Sequence, residues 1–210
     1  MNCNNKERPI LFSGPMVQAI LDGRKTQTRR AIKLNHSGRA ARAGRNWHLG
    51  DPNADKACPY GAPGDRLWVR ETWAIGVSTG NSWHSEDGRI KAMAEPQRYQ
   101  RSYSADGKEG FCGKWRPSIF MPRWASRITL EITEILVQRL QEISEEDAKA
   151  EGAMFHDGRG IGHSGWRHDF KDVHTDARSS FMSLWESING IGSWSANPWV
   201  WCVSFKRVQP

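Results

Sequence analysis

Two segments, "RITLEITEILVQR" and "WVWCVSFKRV", constrain the fold most, because both alternate apolar and polar residues at the two-residue period of a β-strand. In the first, Ile128, Leu130 and Ile132 alternate with Thr129, Glu131 and Thr133, and the apolar series then resumes at Ile135 and Val137, so the strand continues or bulges there. In the second, Trp199, Trp201, Val203 and Phe205 face one way. A third segment, "RLWVRETW", alternates as well: Leu67, Val69, Glu71 and Trp73 share one face, and Arg66, Trp68, Arg70 and Thr72 the other. Both of its faces are mixed, which places this strand between a core and a polar cavity.

Short helices punctuate the strands. Ser13 caps a helix with Pro15 in its first turn; Met16, Val17, Ile20 and Leu21 recur at helical spacing, and Gly23 ends it. "ISEEDAKAEG" reads as a second helix, with Ser144 and Asp147 forming a capping box, acidic residues in the first turn and Gly152 as terminator. A third runs from about Asp176 to Ile188, with Phe181, Leu184, Trp185 and Ile188 on one stripe.

Between these elements lie long polar, glycine-rich stretches, at about residues 34–62, 75–118 and 153–175, the second of which suits an insertion carrying a hairpin. The expected fold is therefore a single α+β domain over residues 1–210: a small mixed β-barrel, partly open, with short flanking helices and long loop insertions.

Thirty Lys and Arg against twenty-three Asp and Glu leave a net charge of +7, which favours anionic partners. The cations crowd "GRKTQTRRAIK" and the residues after it, where the first helix stops and the backbone is free to turn into a strand. No segment has the roughly 20 apolar residues of a membrane span, and the N-terminus lacks a signal peptide's apolar core, so a cytoplasmic protein with reduced thiols is expected. Cys3, Cys58, Cys112 and Cys202 form no paired motif, and the spacing of His156, His163, His168 and His174 matches no familiar ligand set; no metal and no cofactor are expected.

"ILDGRKTQTRR", followed by "PGDRLWVRE", "ISEEDAKAEG" and a terminal "WVWCVSFKRV", resembles the ASCH domain, a PUA-like β-barrel family. The likeness is closest to longer bacterial and prophage members, in which "LFSGPMVQAILDGRKTQTRR", "CPYGAPGDRLWVRETW" and "SIFMPRWASRITLEIT" recur as blocks. The small bacterial members are amidohydrolases that remove the acyl group of N4-acetylcytidine, and others have been linked to RNA binding or ribonuclease activity. The resemblance implies a catalytic set of Lys25 and Thr28, from G-x-K-x-x-T-x-R, with Glu151 from the acidic helix. It also implies a modified nucleoside or RNA as partner. This chain differs from the small enzymes in its extra length and in Arg29-Arg30, where they carry an apolar residue and one arginine.

Amide hydrolysis needs a nucleophile, a stabiliser for the oxyanion and an acid for the leaving amine. Thr28 is the favoured nucleophile, its proton taken by a neighbouring base, and attack by a water that Glu151 activates is the alternative route. Lys25 is that base if burial lowers its pKa, or the oxyanion's partner if it stays charged. Arg24, Thr26, Arg29, Arg30, Trp68, Arg70 and Glu71 are the candidate substrate contacts: arginines for phosphate or a pyrimidine edge, Trp68 for stacking. Glu71, in an apolar setting, is expected to pair with one of the motif cations and orient the site. A monomer or weak homodimer is expected.

Overall fold

The computed structural model describes residues 5–33, 57–79, 82–84, 99–107, 114–158, 164–168 and 173–208. The structure is mixed α+β. The chain forms two compact units: one comprises Met1–Arg8, Ala19–Leu67 and Thr129–Pro210, the other Pro9–Gln18 and Trp68–Ile128.

One sheet has five strands. Its strands are β1 (Glu7–Leu11), β2 (Gln27–Ala31), β3 (Arg66–Arg70), β7 (Thr129–Arg139) and β10 (Trp199–Val208), in the order β1-β3-β7-β10-β2. β1 and β3 begin in the first unit and run on into the second. β2 is an edge strand, antiparallel to β10 with Arg29 opposite Cys202 and Thr28 opposite Val203. Among the described residues no sheet closes into a barrel.

The change of parity along β7 has a direct cause. Ser204 of β10 pairs with Glu134 but Phe205 pairs with Ile132, so Thr133 is the extra residue of a bulge. The bulge lets both Ile132 and Ile135, 1% and 5% exposed, turn inward although their numbers differ by an odd step.

α2 (Glu145–Ala150) and α3 (Ala177–Asn189) pack with this sheet through a cluster of Leu140, Ile143, Ala148, Phe181, Trp185, Val200 and Cys202. Burial of these side chains, at about 25 cal/mol per Å2 of apolar surface, is what holds so short a helix as α2 in place. Ser144 caps α2 by accepting the Asp147 N–H at 3.0 Å, and Asp176 caps α3 by accepting the Ser179 N–H at 2.7 Å. The capping box expected at Ser144 is half made. The Asp147 carboxylate turns to Arg29, 2.9 Å away, rather than back to its own helix start.

The second unit holds α1 (Gly14–Leu21) through its first residues and a small sheet, β5-β4-β6, from β4 (Trp73–Thr79), β5 (Ser82–His84) and β6 (Tyr99–Tyr103). The β4–β5 pairing, closing at Thr79 opposite Ser82, is a hairpin of the kind expected in this insertion. Its core gathers Trp73, Ile75, Tyr103, Met121 and Ala125, with Trp124 edge-on to Trp73 at 5.7 Å. "RLWVRETW" is not one strand. It breaks after Arg70 and restarts at Trp73, and Trp68, assigned to the polar face, is only 8% exposed, so β3 is covered on both sides.

The segment at 153–175 is not wholly loop: β8 (Met154–His156) and β9 (Gly165–Arg167) pair antiparallel within it. The readings that fall on residues 34–56 and on Cys3, Cys112 and His163 lie outside the described residues. No described helix is long and apolar enough to cross a membrane.

Candidate active site

The basic run begins where α1 stops. The Gly23 N–H closes the helix onto the Ile20 carbonyl, with Gly23 at a φ of 76° that favours glycine. The Lys25 N–H then bonds the Ala19 carbonyl and the Thr26 N–H bonds the Ala150 carbonyl, so the start of β2 is stitched to the last turn of α2. Lys25 and Glu151 form an isolated antiparallel bridge at this join.

That stitching brings two of the three expected catalytic groups into contact. Lys25 Nζ lies 2.6 Å from Glu151 Oε2, 2.8 Å from the Glu151 carbonyl and 2.9 Å from the Gln27 carbonyl. The Lys25 and Glu151 side chains are 0% and 3% exposed. Burial pushes the Lys25 amine below the usual lysine range; Glu151 opposes that shift, and the nearby Arg30 and Arg29 guanidiniums add to it.

Arg29 is the second cation of the cluster. Its side chain is fully buried, with Nη1 donating to Gln27 Oε1 and lying 3.3 Å from Glu151 Oε1, and Nη2 lying 2.9 Å from Asp147 Oδ2. Phe181 sits 6.0 Å below the guanidinium. Gln27 in turn donates to Ser204 Oγ on β10 at 3.2 Å. Two cations and two carboxylates are thus held together, with one Glu151 oxygen toward Lys25 and the other toward Arg29. Asp147, at 34% side-chain exposure, is the member open to solvent.

Gly152 fits the same join. Its φ of 106° disfavours any side chain, and a Cβ there would meet Ala19 Cβ at 3.1 Å and Lys25 Cβ at 3.2 Å. The residue that ends α2 therefore also lets the lysine lie flat beneath it.

Thr28 is placed differently. It is 3% exposed, but alternation along β2 puts its side chain on the face opposite Gln27 and Arg29. Its hydroxyl makes no hydrogen bond to Lys25 or Glu151. Thr26 is exposed and engaged through its backbone, its carbonyl accepting the Phe205 N–H. Arg24 donates to the Gly152 carbonyl at 2.8 Å and pairs with Asp22 at 2.9 Å, so it fastens the same join from outside. Arg30, half-buried, lies on the Thr28 side of the strand.

Trp68, Arg70 and Glu71 belong to the second unit. Arg70 stacks 4.6 Å over the Trp68 ring and donates to the Ile119 carbonyl at 3.2 Å. Glu71 pairs with Arg127, at 2.9 Å and 3.0 Å, and not with a cation of the basic run. The reason is local: Val69 N–H bonds the Ile128 carbonyl, which sets Arg127 beside Glu71, and Arg127 also bridges Asp106 at 2.7 Å and covers Tyr103 at 4.0 Å. Burial raises the Glu71 pKa, and the guanidinium only partly offsets this.

Gln27, Asp147 and Arg127 were not among the expected site residues. Gln27 was legible, because it shares the Arg29 face two residues away, whereas nothing local to Arg127 announces its partner. Among the described residues no three His, Cys, Asp or Glu side chains converge as a metal site. No family model, curated protein or solved structure matches this chain.

Proposed function

We propose that the chain is a PUA-like ASCH amidohydrolase that removes the acyl group from an N4-acylated cytidine or a related modified nucleoside. One observation carries the reading: Lys25 and Glu151, the pair that the resemblance implies, lie 2.6 Å apart although they come from distant parts of the chain. A buried lysine of lowered pKa against a carboxylate is a proton-transfer couple, and its electrostatic effect is strong where water is excluded.

In the proposed reaction a water oxygen attacks the acyl carbon while Glu151 takes the water's proton. Lys25, as the ammonium, stabilises the oxygen that gains negative charge. The acyl carbon–N4 bond then breaks, Glu151 returns the proton to N4, and a carboxylic acid and the free exocyclic amine leave. The position of Thr28 on the other face of β2 favours water over Thr28 as the attacking group.

The complete burial of the Lys25 and Arg29 side chains favours a second reading. There the cluster clamps α2 to β2, and the remaining arginines hold RNA without turnover. A panel of N4-acylated cytidines incubated with the protein separates the two. Equimolar carboxylic acid and cytidine support the first. No acid from any member, together with salt-dependent RNA affinity, supports the second. Activity that survives Thr28→Ala assigns the attack to water.

A further inference from the structure

Arg29 turns its guanidinium into the protein rather than toward solvent. Its side chain is fully buried, and it reaches Glu151 Oε1, Asp147 Oδ2 and Gln27 Oε1. We propose that Arg29 and Asp147 form a charge relay that positions the Glu151 carboxylate and sets the charge felt by Lys25. The proposal deepens the amidohydrolase reading and rests on it for its meaning in turnover, but the relay itself is a property of the resting protein.

The geometry supports this in three ways. Arg29 and Lys25 divide the Glu151 carboxylate, at 3.3 Å and 2.6 Å, so neither oxygen is free to rotate away. Gln27, anchored on Ser204, fixes the guanidinium from the strand side. Asp147 fixes it from the helix side, and to do so leaves its own capping box half made.

Among the described residues, charged groups face Lys25 from two elements. Glu151 comes from the end of α2, Arg29 and Arg30 from β2, and Asp147 acts at one remove through Arg29; α1 presents Ala19, which is uncharged. Because Arg29 bears the same charge as Lys25, removing it relieves repulsion on the ammonium. Removing the Asp147 charge leaves Arg29 less neutralised and increases that repulsion. The two substitutions therefore act in opposite directions on the same amine, which a merely structural role does not produce.

The test is a pH titration of the Lys25 ε-methylene and amine by NMR, in the full chain without substrate. Arg29→Met raises the Lys25 titration, Asp147→Asn lowers it, and Arg29→Lys, which keeps the cation, restores it toward wild type. Asp147 is partly exposed, so its variant retains the fold and reads the relay even where Arg29→Met unfolds. Shifts of the same sign, or none in Asp147→Asn, overturn the proposal. Opposite shifts in a protein that hydrolyses no acylated cytidine support the relay and overturn only the amidohydrolase reading. Where turnover is present, the alkaline limb of its pH profile moves with the Lys25 titration, because the ammonium is the form that stabilises the oxyanion.

Discussion

The Lys25 ammonium sits 2.6 Å from one Glu151 oxygen while Arg29 holds the other at 3.3 Å, and all three side chains are shielded from solvent. Such a pair loses the hydration of both charges and recovers it only through mutual attraction, so removing one partner strands the other. Glu151→Gln and Lys25→Met are each expected to destabilise the fold by about 3 kcal/mol or more. The double variant falls well short of the sum. Urea denaturation of the four proteins checks this, and simple additivity contradicts the pairing.

Buried Glu71 and the partly exposed Arg127 make another pair, and its pH dependence is specific. Burial raises the Glu71 pKa, so in the folded state it holds its proton to higher pH than in the unfolded chain. Its ionisation therefore weakens the fold as pH rises from the normal carboxylate range through the raised value. Arg127→Ala removes the cation and the Asp106 bridge together. The variant is expected to lose less stability in mildly acidic solution than at neutral pH, because without the cation burial favours the protonated carboxyl still more. Equal destabilisation under both conditions contradicts the pairing.

Cys202 lies under α2 and α3, opposite Arg29, and burial pushes its thiol up from 9.0 to about 12. The unfolded thiol ionises first, so the stability it confers is complete below pH 9 and is lost between pH 9 and 12. By pH 10.5 wild type loses roughly 2 kcal/mol that Cys202→Ala does not. The gap between the two proteins in urea narrows by that amount from pH 8. Alkylation with iodoacetamide at pH 8, read by mass spectrometry, leaves Cys202 unlabelled until the protein unfolds.

Gly152→Ala places a methyl against Ala19 and Lys25 at a φ of 106°. The expected cost is about 1–3 kcal/mol, and the lysine is displaced from Glu151 in the process. Ser144→Ala, which removes only the cap of α2, costs about 1 kcal/mol and leaves the Lys25 titration where it is. Thermal denaturation with the same NMR titration separates strain at the site from loss of the helix start.

Local signals foretold the elements well. The Ser144 cap, the start of the third helix near Asp176, the Gly23 and Gly152 stops and the alternation of β7 and β10 all rest on contacts within a few residues, which a sequence displays directly. Even the bulge at Thr133 is written in the change of parity between Ile132 and Ile135. What was not legible is long-range. That Asp147 leaves its capping box for Arg29, or that Glu71 finds Arg127, depends on which strands and helices become neighbours, and no local pattern encodes that. The expected trio of Lys25, Thr28 and Glu151 was resolved in the same way. The lysine and glutamate meet at the join of β2 and α2, and strand alternation turns the threonine to the other face.

The Lys25–Glu151 pair is proposed to perform acyl hydrolysis. The most direct test is the initial rate of cytidine formation from N4-acetylcytidine by wild type, Lys25→Ala and Glu151→Ala, each first shown to be folded by circular dichroism. Steady turnover by wild type and a loss of about a hundredfold or more in both variants are expected. Wild-type turnover that survives undiminished in either folded variant, or its absence in wild type, contradicts it.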